Sequence, residues 1–166
     1  SQIWVDVDRS EGPRRGAVYL LCAVDPPLGD PLDVRLARSD DGGATWSAPV
    51  TVVADDRRSY QWFPTLAVAP DGRVDVAYVD VADPAAPELG RVMFTSSHDG
   101  GATFSAPIAV SPVFDSHVGW PVEQSKLGDY YHMVSREDGA TLAFAATMNG
   151  GQDMWVAHIG ASPCPP

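Results

Sequence analysis

The sequence predicts an all-β chain of repeated four-stranded antiparallel units, the plan of β-propeller blades, and three observations carry that prediction. First, an eleven-residue turn occurs twice: residues 39–49 read SDDGGATWSAP and residues 97–107 read SHDGGATFSAP, identical at nine positions and offset by 97 − 39 = 58 residues. Second, each copy is flanked by short alternating or β-branched runs of strand length. Third, no segment shows helical periodicity, while 15 Gly and 15 Pro in 166 residues suit many short strands joined by tight turns. A repeated turn at a fixed place in a four-strand unit marks propeller blades rather than a sandwich.

The first unit, residues 1–56, begins with Ile3-Trp-Val-Asp-Val-Asp8, passes through a polar loop from Arg9 to Gly16, and continues with the apolar run Ala17 to Asp25. Its third strand is Asp33-Val-Arg-Leu-Ala-Arg38, followed by the first turn copy and a fourth strand, Ala48 to Val53. The second unit, residues 57–112, repeats this order. Pro64 to Ala69 leads through Pro70-Asp-Gly72 into Arg73-Val-Asp-Val-Ala-Tyr-Val-Asp80, with Val74, Val76 and Tyr78 on one face and Asp75 on the other. Arg91 to Ser96, the second turn copy and Ala106 to Val110 complete it. Residues 113–160 form an incomplete third unit with strands Tyr130 to Ser135, Thr141 to Ala146 and Asp153 to His158, and residues 161–166 are a Pro-rich tail. The count is eleven strands in about three blades. Propellers close with about 4–8 blades, so these blades belong to a six- or seven-bladed ring. The remaining blades then come from another chain segment or a second copy, because open apolar sheet faces are association surfaces.

The repeated turn has a physical logic. Asp41 and Asp99 can accept hydrogen bonds from turn amides, and Gly42, Gly43, Gly100 and Gly101 can take positive φ. Ser39, Thr45, Ser97 and Thr103 can bridge the turn ends, and Trp46 and Phe104 are expected to bury a ring against the next sheet. On that reading Trp46→Ala costs on the order of 3–5 kcal/mol.

The pattern Ser-x-Asp-x-Gly-x-Thr-Trp/Phe, held by Ser39, Asp41, Gly43, Thr45, Trp46 and by Ser97, Asp99, Gly101, Thr103, Phe104, resembles the Asp-box, or BNR-repeat, family of sialidase-like β-propellers. Residues 61–72, Leu127-Gly-Asp-Tyr130 and Asn149-Gly-Gly-Gln-Asp153 look like the later blades of secreted bacterial BNR-repeat proteins. The resemblance implies structural roles for both turns, a functional pocket at the ring axis, and an extracellular or periplasmic location, with no signal peptide visible at Ser1.

Bulk chemistry narrows the partners. The formal net charge is −11, the wrong sign for a phosphate-backbone binder, so nucleic acid is a poor partner. No apolar run approaches the roughly 20 residues of a membrane span. Cys22 in a strand and Cys164 in the tail make no disulfide framework; Cys22 reads as a small core residue, with a Cys22–Cys164 bond as the alternative. No cofactor is signalled and no His, Cys and Asp spacing marks a transition-metal site. Loop carboxylates and carbonyls are of the kind that bind Ca²⁺, without a spacing that marks one.

Axial residues on this plan are Asp6 and Asp8, Gln61 to Thr65, and Trp120 to His132. Trp62, Trp120 and His132 are the ligand-binding candidates, since exposed rings near an acidic rim stack on sugar faces. Sialidases use three arginines, a tyrosine nucleophile paired with a glutamate, and an aspartate acid/base. Tyr130 or Tyr131, Glu123 and Asp129 are the weak catalytic candidates; the plain alternative makes the tyrosines one core and one wall residue. Arg35 and Arg91 start third strands and Arg136 sits at a turn, so the arginine triad is not in view. The reading is a carbohydrate- or protein-binding propeller segment without a complete catalytic set. Its alternative is part of an exo-acting glycoside hydrolase whose other catalytic residues lie on further blades.

Overall fold

The structure, a computed structural model, describes residues 2–25, 32–53, 59–81, 83–123, 126–128 and 130–160. Three antiparallel sheets follow one another along the chain. Blade 1 contains β1 (Ile3–Val7), β2 (Val18–Val24), β3 (Asp33–Ser39) and β4 (Val50–Thr51), in that order across the sheet. Blade 2 contains β5 (Tyr60–Val68), β6 (Val74–Val81), β7 (Leu89–Ser97) and β8 (Ile108–Ala109), and β9 (Phe114–Asp115) pairs with the start of β7 beyond the end of β8. Blade 3 contains β10 (His132–Arg136), β11 (Gly139–Ala146) and β12 (Asp153–Gly160). No helix occurs among the described residues. The architecture is all-β, and its blade count fits part of a propeller ring.

Alternation builds two cores from one central sheet. On β6, Val76 and Tyr78 pack into the core shared with Tyr19, Leu21 and Leu36 of blade 1. The intervening Ala77 and Val79 pack into the core shared with Met133, Leu142 and Phe144 of blade 3. Every residue of β6 is therefore buried, as expected of a strand covered on both faces. The first strands converge: β5 touches both β1 and β10, and the Trp4 ring lies 5.7 Å from the His132 ring.

Two sequence expectations shift. Residues 114–115 join blade 2 rather than starting a third unit, giving twelve strands among the described residues. The first strand of blade 3 starts at His132, which leaves Tyr130 and Tyr131 before it.

Both repeated corners form the same local hydrogen bonds. Ser39 Oγ donates to Asp41 at 2.7 Å and accepts from the Gly43 amide at 2.8 Å; the Thr45 amide and hydroxyl donate to Asp41 at 2.8 and 2.6 Å. Ser97, Asp99, Gly101 and Thr103 repeat this at 2.7, 2.8, 2.9 and 2.6 Å. Their surroundings differ. Gly100 and Gly101 are buried on blade 1, where Arg38 Nη1 donates to Gly100 O at 2.9 Å, and Phe104 packs against the blade 1–blade 2 core. Gly42 is exposed and Trp46 is 42% exposed. The expectation that Trp46 buries its ring against a neighbouring sheet is corrected: no sheet among the described residues covers that corner.

Candidate functional site

The corners and the hairpins joining first to second strands lie at one end of the blades. The opposite end carries the starts of β5 and β10 and the connections around 83–88, 116–123, 126–128 and 147–152. There a cavity of about 260 Å³ opens between blade 2 and the connection that leads from β9 towards β10, lined by Trp62, Phe63, Pro87, His117, Trp120 and Lys126 among others.

One wall comes from an interrupted strand. The β5–β6 register runs from Trp62↔Val79 to Thr65↔Ala77, so Phe63 and Pro64 together face Tyr78 alone, a β-bulge. Pro64 has no amide to give the ladder. Phe63 takes φ +47°, among the described residues the one non-glycine in that region. The bulge turns its ring between Trp62, at 4.7 Å, and Tyr131, at 5.4 Å. Strained backbone of this kind concentrates at binding sites.

The other wall is a tight loop after β9. The His117 amide donates to Asp115 Oδ1 at 2.8 Å, and Gly119 takes φ +69°. Trp120 folds back so that its Nε1 donates to Ser116 O at 2.6 Å and its ring lies 4.0 Å from the His117 ring. Long-range bonds pin this loop. Ser116 donates from its amide and its hydroxyl to Glu88 O at 2.7 and 3.0 Å. Thr147 Oγ1 donates to Asp115 O at 2.6 Å. Gln152 Nε2 donates to Val118 O at 3.3 Å and Lys126 O at 3.1 Å. The aromatic walls are thus held in place before any ligand arrives.

Of the three ligand-binding candidates, Trp62 and Trp120 meet in this cavity, while His132 stacks on Trp4 instead. Tyr131 is wholly buried, donates its hydroxyl to Ala145 O at 2.8 Å, and has its pKa raised by desolvation. It is a core residue, unsuited to attack a substrate arriving from solvent. Tyr130 is 70% exposed and Glu123 is exposed; Asp129 lies outside the described residues. Asp6 and Asp8 act as backbone ties at the corner end: Asp6 Oδ2 accepts the Val68 amide at 2.9 Å, and Asp8 Oδ1 the Ser10 amide at 2.8 Å. Gln61 is buried, with Oε1 accepting the Val34 amide at 3.3 Å. Cys22 is half-buried with a free thiol, and Cys164 lies outside the described residues. Among the described residues no group of three or more His, Cys, Asp or Glu is placed to hold a metal, and no helix is long and apolar enough to cross a membrane. Sequence reasoning placed Phe63 and Gln152 in stretches it singled out, but gave no site role to them or to His117. Only Phe63 left a signal, the proline after it in a strand.

No family model and no curated protein matches the chain. Solved structures do. A protein of unknown function from Dyadobacter fermentans matches at 21% identity and TM-score 0.54, covering 91% of this chain and 36% of that one. A GH93 α-L-arabinofuranosidase of Fusarium graminearum, in complex with arabinobiose, matches at 14% identity and TM-score 0.67, covering 95% and 44%. A Hadza microbial sialidase matches at 16% identity and TM-score 0.56, covering 96% and 32%. These likenesses establish a sialidase-like propeller fold, of which the chain spans less than half the length of each neighbour.

Proposed function

We propose that the chain is a carbohydrate-binding segment of an Asp-box, BNR-repeat propeller, with the cavity between Trp62 and Trp120 as its sugar site. The observation that carries this reading is the pair of pinned aromatic walls around about 260 Å³. Ligand pockets usually span about 300–1,000 Å³, so this one suits a single sugar ring. Aromatic faces pack against the C–H faces of sugars, and edge polar groups take the hydroxyls. The matching hydrogen bonds of the two corners support the Asp-box assignment, and the resemblance to secreted BNR-repeat proteins supports an extracellular or periplasmic location. Two of the fold neighbours bear the names of sugar-processing enzymes, one of them holding arabinobiose.

The test is titration with arabinobiose and with a sialoside, followed by tryptophan fluorescence and calorimetry. Trp62→Ala and Trp120→Ala should each weaken binding about tenfold or more, the range for a stacked aromatic anchor. Affinity unchanged in both variants sinks the assignment.

The names of those neighbours favour a second reading, part of an exo-acting glycoside hydrolase, with exposed Tyr130 as nucleophile and Glu123 as its partner. Turnover of a fluorogenic sialoside that Tyr130→Phe abolishes would support it. Turnover that survives the change would remove that role.

A further inference from the structure

We propose that Asn149 is a site of spontaneous covalent modification: its carboxamide cyclises onto the Gly150 amide and hydrolyses to aspartate and isoaspartate, which frees the Trp120 wall of the cavity.

Asn149 is the one asparagine in 166 residues, and Gly-Gly follows it. Asn149 and Gly150 are both exposed, in the hairpin that joins β11 to β12. Gly150 takes φ +90°, and no heavy atom of a described residue lies within 4 Å of where a Cβ would stand on Gly150 or Gly151. The attacking nitrogen is therefore uncrowded, and water reaches the product. The Gly150 amide donates to Thr147 O at 2.9 Å, an exposed turn bond that must open first. The electrophile is held in place. The Gly151 amide donates to Asn149 Oδ1 at 3.3 Å, and Asn149 Nδ2 donates to Asp153 Oδ2. The first bond folds the carboxamide back over the Gly150 peptide. It also aims a donor at the oxygen that becomes anionic when Cγ is attacked.

The atoms balance with water as the one co-reactant. The Gly150 nitrogen gives up its proton and bonds to Asn149 Cγ; the Cγ–Nδ2 bond breaks, and Nδ2 leaves with that proton as ammonia. The cyclic imide then takes up one water. Cleavage between Cγ and nitrogen yields aspartate, and cleavage between the main-chain carbonyl carbon and nitrogen yields isoaspartate.

Neither product fits the hairpin as asparagine does. β11 and β12 stay paired up to Ala146↔Asp153, so residues 147–152 span a fixed gap. Thr147 Oγ1 on one arm holds Asp115 O, and Gln152 Nε2 on the other holds Val118 O and Lys126 O. Isoaspartate routes the main chain through Cβ and Cγ, adding a methylene between those two ties. Aspartate sets a second carboxylate where Nδ2 met Asp153, and like charges repel. Either change draws Gln152 away from the loop that carries Trp120. A consequent loss of sugar affinity rests on the carbohydrate reading of the cavity; the covalent change does not.

Ageing the full chain in mildly alkaline buffer tests this, read by ammonia release, intact mass and peptide mapping. Wild type should release ammonia towards one equivalent per chain, gain the mass of one amide-to-acid exchange, and carry isoaspartate at position 149. The four Asp-Gly pairs of the chain lose only water on cyclising and add no ammonia. Asn149→Ser should release none above background. Gly150→Ala should slow release about tenfold, because a Cβ crowds the attacking nitrogen. Amide hydrogens of residues 116–123 should exchange about tenfold faster in aged than in fresh wild type, and equally fast in aged and fresh Asn149→Ser. Wild type that releases no ammonia, or exchange at 116–123 that is unchanged once position 149 has converted, overturns the proposal. Fresh protein that binds neither arabinobiose nor a sialoside overturns the carbohydrate reading alone, since ammonia and exchange are read without a sugar.

Discussion

Arg73 donates through Nε and Nη2 to the two carboxylate oxygens of Asp75, at 2.8 and 3.0 Å, where neither side chain meets solvent. The same Nη2 donates to Arg136 O across the blade 2–blade 3 boundary at 2.8 Å. Desolvation pushes the Asp75 carboxyl up, against the pull of Arg73. Asp75, placed by the sequence on the strand face opposite Val74, Val76 and Tyr78, is thus half of a buried clamp between blades.

Removing one member of that clamp should be far worse than removing both. Arg73→Met should cost about 3–5 kcal/mol by leaving a buried carboxylate unpaired, whereas Arg73→Met with Asp75→Leu should cost clearly less. Urea unfolding of the two single variants and the double variant measures the coupling. Simple additivity would contradict the clamp.

The two corners should respond differently to the same change. Phe104→Ala should cost about 1–3 kcal/mol, as a partly buried ring lost from the boundary of blades 1 and 2. Trp46→Ala should stay within about 0.5 kcal/mol, as surface changes do. Chemical denaturation separates them.

A methyl group probes the same asymmetry at the backbone. Gly43 and Gly101 both have positive φ, +95° and +81°. Gly43→Ala should cost about 1–2 kcal/mol from conformation alone. Gly101→Ala should cost about 1–3 kcal/mol more, because Leu36 must also move. Equal midpoints in urea would argue against the contact.

Strain at Phe63 can be read by comparing two truncations. Both Phe63→Gly and Phe63→Ala lose the ring, but only glycine takes φ +47° freely. The glycine variant should be the more stable by about 1–2 kcal/mol, a difference thermal denaturation resolves.

Acid should loosen the second corner. Burial raises the Asp99 pKa, but hydrogen bonds from Thr103, Ser97 and Ala102 outweigh it and bring it from 3.8 to about 2. A depressed carboxyl adds stability that is fully present above its unfolded pKa and is lost as pH falls through the folded one. Stability should therefore fall between about pH 4 and pH 2, and Asp99→Asn should flatten that slope while lowering stability at neutral pH. Unfolding midpoints across this window would show an unchanged slope if the hydrogen bonds did not favour the charged form.

The sequence by itself determined the sheets, their antiparallel order and the internal geometry of both corners. Those features rest on strand alternation and on bonds spanning two to four residues, which local spacing records. What only the tertiary structure decided was the fate of identical local pieces: Trp46 in the open and Phe104 against a neighbour, Tyr131 in the core and Tyr130 outside it, Asp75 clamped to Arg73. It also decided that a loop near residue 118 would be fastened by Gln152 into an aromatic wall. Burial and long-range pairing depend on which sheet lies across the gap, and spacing within one strand carries no record of its neighbour.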